Sequence, residues 1–344
     1  GIVVPFGAYH QHYSRATLIV PPSLQGKNIA SDGEPLPAFI ERTYATFFGK
    51  MVPAKTSERE LSAWIEPRLE IVRHTIRSTP LDPALRQAIR DGLAKNGVLT
   101  SGDATVGCFV RSDTNVEDLD NFNGAGLNLT VFNRRTLDDI YAGLTEVWAS
   151  PFQFRSFSWR QTLIDDPIWV LSSVVILASV PSEKSGVLVT ADVNGGDPGK
   201  MLVATSEGVG GAVDGTSAET LLWSPNGVEI VTLFKSPWKN ALDAQGGSKV
   251  VPSTGRDTVL EPDELKQLIT AGQQITKVFT PVVNATGQPR PWDIEFGFTN
   301  GKLWLFQCRP FLGNDDLKNI PALAALDGAP SARSATLDLG EALR

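Results

Sequence analysis

Four residues near the end of the chain, Asp293, Glu295, Gln307 and Arg309, have types and a spacing suited to holding a metal ion and a polyphosphate. Two carboxylates and an amide oxygen are hard ligands of the kind Mg²⁺ takes, and a guanidinium offers phosphate a planar fork. The stretch that carries them, Trp292 to Pro310, reads as two strands joined at Asn300-Gly301, a strong hairpin signal. Its even positions Ile294, Phe296, Phe298, Trp304, Phe306 and Cys308 are apolar, which assigns one face to a core. Odd positions put the polar set on the other face together with Leu303 and Leu305, so that set is expected to be partly enclosed. The plain alternative is a surface hairpin with ordinary charges.

The turn has to be compatible with these faces. A two-residue type I′ turn would pair Thr299 with Lys302 and set Glu295 beside Phe306 and Gln307 beside Ile294, since opposed side chains share a face. Charges would then enter the core at a large desolvation cost. A three-residue loop with Gly301 left-handed pairs Phe298 with Lys302 and separates aromatics from polar groups. The bulged turn is therefore expected, with Gly301 at positive φ and Glu295 and Gln307 on one face.

The elements that must position this hairpin follow from periodicity. The spacing predicts helices over 36–50, 57–77, 82–95 and 136–162, and another from Glu261 to about Phe279. Ser57 with Glu60 forms a capping-box pattern, and Pro67 predicts a break or kink in the second helix. Gly1 to Tyr9 reads as a strand, turn and helix, and Gly107–Ser112 as a buried strand that ends on the charged Arg111. From Ile168 the texture becomes β: Ile168–Val180 and Ser185–Thr190 read as buried strands. Strands near 218–224 and 227–234 flank the turn Ser224-Pro-Asn-Gly227. The Gly/Ser-rich residues 240–258 read as a mobile loop, and the Ala/Leu-rich residues after Asn314 as a loosely attached tail.

Asp293-Ile-Glu-Phe, a short hairpin, then Leu305-Phe-Gln-Cys-Arg-Pro310 resembles the end of the ATP-binding domain of phosphoenolpyruvate synthase and pyruvate phosphate dikinase. That domain has an ATP-grasp fold and is shared by rifampicin phosphotransferase and the glucan/water dikinases. Upstream, Arg111-Ser-Asp-Thr-Asn-Val-Glu-Asp-Leu119 resembles the family's Val-Arg-Ser-Ser-x-x-x-Glu-Asp-Leu, and Ser206 to Gly215 its Gly-Leu-Gly-Glu turn. The resemblance covers residues 1 to about 312. It implies Mg²⁺ on Glu295 and Gln307 with Asp293 in support, and Arg111 and Arg309 on the phosphates. It also implies a loop at Gly124, Ala125 and Gly126 over the triphosphate of ATP, and an adenine hinge at Leu177, Ala178, Ser179 and Val180. Two parts of the family pattern differ. The Gly-Gly-Lys-Gly element that relatives carry just before this first segment is absent here, so either its lysine lies upstream in a longer parent or the nucleotide site is incomplete, and the hinge lacks the family's glutamine and methionine.

Composition sets the remaining bounds. A net charge of −7 with no basic run disfavours nucleic acid. No apolar run is long enough to span a membrane, and two distant cysteines suit a reduced, cytoplasmic setting. The start at Gly1 without Met suggests a processed chain or fragment. None of His10, His12 and His74 sits in a phosphohistidine-type loop, so all three are expected to be structural or exposed. The expected architecture is α+β and ATP-grasp-like: a helix-rich part over 1–165, a β-rich nucleotide- and metal-binding part over 166–312, and a tail over 313–344. The reading is an ATP-binding portion of a dikinase-like phosphotransferase, whose phosphohistidine and acceptor domains lie in a longer parent chain. The alternative is a degenerate, non-catalytic nucleotide-binding or scaffolding module.

Overall fold

Ser57 opens the longest helix among the described residues, Glu58–Ser78, through the expected capping box: its hydroxyl accepts the Glu60 N–H at 3.4 Å, and the Glu60 carboxylate accepts the Ser57 N–H at 3.2 Å. Ile65, Leu69, Val72 and Ile76 of this helix are buried, at the i, i+4, i+7 spacing of a single stripe. The helix runs unbroken through Pro67, so the break that the proline could have made does not occur. Pro67 leaves the Ala63 carbonyl without its helical N–H donor, and one residue on the Arg68 guanidinium donates to the Trp64 carbonyl at 2.6 Å.

The computed structural model describes residues 1–98, 107–116, 127, 129–161, 170–193, 195–211, 217–256, 258–284 and 287–313. In chain order its elements are β1 (Ile2–Val4), α1 (Phe6–Arg15), α2 (Leu36–Thr46), α3 (Glu58–Ser78), α4 (Pro83–Lys95), β2 (Cys108–Thr114), β3 (Thr130–Arg134), α5 (Leu137–Ala149), α6 (Phe154–Gln161) and β4 (Ser172–Ala178). There follow β5 (Lys184–Val189), β6 (Met201–Glu207), β7 (Glu219–Ser224), β8 (Gly227–Thr232), β9 (Trp238–Leu242), β10 (Ser248–Pro252), α7 (Pro262–Val278), β11 (Trp292–Thr299) and β12 (Lys302–Pro310). All of them lie in one unit, Gly1–Phe311; a second unit is Leu312–Arg344. Among the described residues no helix is long and apolar enough to cross a membrane.

The class is α+β. The helix expected over 136–162 divides into α5 and α6 because Pro151, with no N–H to donate, sits in a 3₁₀ turn between them. α2 likewise stops at Thr46 and continues as a wider π-type turn over Phe47–Met51. A four-stranded sheet, β1-β4-β2-β3, packs one face against the helices. There Cys108, Val110, Val174 and Ile176 are buried with Trp148, which stands edge-on to Tyr9 at 5.8 Å. His12 is structural, as expected: buried against the Trp148 ring, with Nε2 3.0 Å from the Ile76 carbonyl oxygen. Arg160, also buried, sits beside the phenols of Tyr44 and Tyr9, and its Nε and Nη2 have no hydrogen-bond partner.

The second sheet is six-stranded, β12-β11-β5-β6-β7-β8, and antiparallel throughout. Its core face carries Leu188, Val203, Leu221, Ile294, Phe296 and Phe298 against Leu268, Ile269 and Ile275 of α7. The short segment from Ser179 to Glu183 carries the chain from β4 of the first sheet to β5 of the second.

The Gly/Ser-rich stretch is not loop throughout: β9 and β10 pair as a two-stranded ribbon, Leu242 opposite Ser248. Its anchors lie far away in sequence, which is why Gly/Ser content misleads. Asn133 of β3 donates to the carbonyls of Asp243 and Gly247 at 2.7 and 3.1 Å, clasping the ribbon's turn. At the other end the buried Glu207 accepts from Lys239 Nζ at 2.9 Å and the Thr254 N–H at 3.0 Å. Burial pushes the Glu207 carboxyl up, but these donors outweigh it and hold it below the ordinary glutamate value of 4.5. A depressed acid contributes stability that is present above its unfolded value and is lost as pH falls through the folded one. Ribbon amides in the wild type are therefore expected to lose hydrogen-exchange protection below about pH 4.5. In Glu207→Gln protection should be weaker by about 1.5–3 kcal/mol at neutral pH and flat across that acid range. Equal protection in the two proteins at pH 7 would refute the anchoring role.

Candidate functional site

Strand alternation in β2 sends Cys108 and Val110 into the helical core and leaves Phe109 and Arg111 on the opposite face. In β5 the same rule turns Leu188 toward α7 and Val187 and Val189 away from it. The two outward faces meet across a cleft of about 570 Å³, within the range of small-molecule sites. Arg111, Asp293, Glu295, Gln307 and Arg309 all line it, so the structure brings together the residues expected at the metal and the phosphates that are described. Gly124, Ala125 and Gly126 lie outside the described residues. Of the hinge set, Leu177 lines the cleft, whereas Ala178, Ser179 and Val180 do not, and Ser179 is buried.

The hairpin reaches this arrangement by a different turn from the one expected. Thr299 pairs with Lys302, and Asn300 and Gly301 take φ of 51° and 70°, the two left-handed residues of a type I′ turn. The bulged turn is therefore wrong, although Gly301 does have positive φ. The extra residue is Phe306. Phe296 pairs with Leu305 while Glu295 pairs with Gln307, so the register shifts there and the parity of β12 reverses midway. Glu295 and Gln307 are thus directly opposed on one face, as expected, by another route. The bulge also reassigns the apolar residues of β12. Leu303 packs with the core and Leu305 shares its parity, Trp304 is 41% exposed, and Phe306 lines the cleft. Only Cys308 among the three expected core residues of this strand packs on the core, where burial and the nearby Asp293 charge push its thiol up.

Phe306 is the functional residue that alternation missed. Its ring lies over Gly297, where an added Cβ would stand 2.8 Å from it. The available signal was the run Trp304-Leu305-Phe306, three apolar residues that break the period of two immediately before Gln307. Phe109 and Phe132 stand edge to face at 5.3 Å and, with Leu177, make another part of the lining apolar.

The charges in the cleft are paired among themselves. Arg111 Nη2 donates to Gln307 Oε1 and lies 3.1 Å from Glu295 Oε2, joining β2 of one sheet to β11 and β12 of the other. Arg309 Nε donates to Asp293 Oδ2 at 2.9 Å, with both side chains nearly buried. Asp293 Oδ1 is buried without a hydrogen-bond partner. Among the described residues no group of three or more His, Cys, Asp or Glu is placed to hold a metal. Mg²⁺ does not require one, since it is commonly held by one or two carboxylates with phosphate and water completing the shell. A buried carboxylate oxygen with no donor, two residues along the strand from Glu295, is an atom that a cation would satisfy. The donor set fits Mg²⁺.

The family model for the pyruvate phosphate dikinase AMP/ATP-binding domain matches residues 53–322. The chain is 30% identical over 179 residues to the phosphoenolpyruvate synthase of Aeropyrum pernix, covering 52% of this chain and 22% of that protein. It is 29% identical over 245 residues to rifampicin phosphotransferase of a Streptomyces species, covering 70% of this chain and 26% of that protein. A probable phosphoenolpyruvate synthase of Methanocaldococcus jannaschii is 26% identical over 246 residues, 70% of this chain and 20% of its own length. The chain thus spans about a fifth to a quarter of the length of these relatives. With most of its residues inside the family match, this chain belongs to the pyruvate phosphate dikinase AMP/ATP-binding domain family.

Proposed function

We propose that the cleft binds Mg·ATP and that the chain is the nucleotide-binding portion, ATP-grasp-like, of a dikinase-like phosphotransferase. The observation that carries this reading is the convergence of Arg111, Glu295 and Gln307 from two different sheets onto one point of the cleft. In this reading Glu295 and Gln307 hold Mg²⁺, with Asp293 beside them. When bound, the ion supplies charge neutralisation at the phosphate oxygens. Arg111 and Arg309 take the remaining phosphate charge, and Gly124–Gly126 cover the triphosphate. The apolar lining at Phe109, Phe132 and Leu177 receives the base, and of the expected hinge only Leu177 is placed to meet it. Phosphoryl transfer from such a site is a matter of positioning and electrostatics, with the accepting histidine or substrate carried by domains beyond this chain.

One observation favours a second reading, a module that binds nucleotide without transferring phosphate: no lysine lines the cleft among the described residues. Isothermal calorimetry with ATP, with and without Mg²⁺, decides whether the cleft is a nucleotide site. Binding that needs Mg²⁺ is expected, with no phosphorylation of pyruvate by the chain alone. Absence of any ATP-binding heat in the presence of Mg²⁺ would overturn both readings.

A further inference from the structure

In this structure one nitrogen occupies the space between the two side chains assigned to the metal. Arg111 Nη2 is hydrogen-bonded to Gln307 Oε1 and sits 3.1 Å from Glu295 Oε2, and Glu295 and Gln307 are directly opposed partners in the β11–β12 register. A guanidinium so placed does to these oxygens what a cation would do: it satisfies both and adds positive charge at the same point. We propose that Arg111 masks the divalent-cation ligands of the cleft and releases them only when a polyphosphate takes its guanidinium. Resting on the Mg·ATP reading, this adds an order of events: Glu295 and Gln307 are withheld from free metal, and cation and polyphosphate enter as a unit.

The rest of the cleft supports the arrangement. Its second guanidinium, Arg309, is held on Asp293, so each carboxylate of the site already faces a cation from the chain itself. Arg111 is also the partner that can leave. Its side chain is about a quarter exposed, and its hydrogen bonds are made across the seam between sheets rather than within one. Phosphate oxygens offer the guanidinium a bidentate partner at least as good as the one it gives up. A metal ion arriving alone offers it nothing and meets like charge.

Free Mn²⁺ measured by electron paramagnetic resonance, with no nucleotide present, tests the masking directly. Arg111→Met is expected to bind Mn²⁺ at least about tenfold more tightly than the wild type, in the range of ordinary site-to-site couplings. The same substitution should weaken Mg·ATP binding by about tenfold or more. Adding Gln307→Ala to Arg111→Met should abolish the Mn²⁺ gain. That change removes a ligand oxygen without altering charge, so a general electrostatic effect of losing an arginine would leave the gain in place. Arg111→Gln carries the same comparison if the methionine variant does not fold. Equal Mn²⁺ affinity in wild type and the Arg111 variant, or a gain that survives Gln307→Ala, overturns the masking. Failure of wild-type protein to bind Mg·ATP would instead overturn the nucleotide reading, and the Mn²⁺ comparison would still report on Arg111.

Discussion

Arg309→Ala is expected to destabilise the folded chain by about 3–5 kcal/mol, the cost of breaking a buried ion pair from one side. The side chains of Arg309 and Asp293 are only 11% and 10% exposed, so the carboxylate cannot recover its hydration by turning outward. Its other oxygen already lacks a hydrogen-bond partner, so the truncation leaves Asp293 without its 2.9 Å donor and with an orphan oxygen besides. Removing both partners should behave differently. Replacing a buried pair by apolar side chains is often neutral, so Asp293→Leu combined with Arg309→Leu should regain most of the stability. Nucleotide affinity should stay lost in that double variant, since neither the phosphate contact nor the supporting carboxylate returns. Urea denaturation of the single and double variants reads the first part and calorimetry the second. A single-variant loss below about 1 kcal/mol, the scale of exposed pairs, would show that the pair is solvated and not built into the cleft.

The contrast between that pair and the turn beside it shows what was legible in the sequence. Period-two alternation put Asp293, Glu295, Gln307 and Arg309 on one face without reference to any other part of the chain, and they do share the cleft. The route of β12 was not legible in the same way. Whether the extra residue falls at Gly301 or at Phe306 depends on what lies across the strand, and there Gly297 leaves room for the Phe306 ring. Asn300-Gly301, read locally, asks for the two-residue turn that is present. The expectation overrode that local signal because it assumed a regular strand beyond it. The β9–β10 ribbon was hidden for a related reason. Its holdfasts, Asn133 and Glu207, belong to other strands, and composition within 240–258 carries no trace of them. Helices were easier because caps and stripes are local: Ser57, Glu60 and the Ile65–Ile76 stripe needed no partner to be recognised.

Gly186→Val should lower stability by about 3 kcal/mol, at the upper end of overpacking costs, and the melting temperature by roughly 5–10 °C. Gly186 sits midway along β5, paired with Phe296 of β11 on one side and Thr205 of β6 on the other. A Cβ built there runs into the carbonyl oxygen of Ala204 and comes within 3.0 Å of the Thr205 Cα. Both obstacles are backbone, so no change of rotamer relieves them. β6 has to move away from β5, which opens the six-stranded sheet at its middle and separates Leu188 from Val203 beneath α7. Because Gly186 also lines the cleft, the same displacement disturbs the wall that carries Val187 and Val189. Nucleotide affinity should therefore fall together with stability, which distinguishes this position from a purely structural one. Gly7→Ala provides the contrast. A Cβ at that helical position in α1 meets nothing within 4 Å, so the substitution should be neutral or stabilising by up to about 1 kcal/mol. Paired differential scanning calorimetry of the two variants measures both effects. A melting temperature for Gly186→Val within about 2 °C of the wild type would mean that β5 and β6 part easily. In that case the sheet could not serve as the rigid wall on which the site's geometry depends.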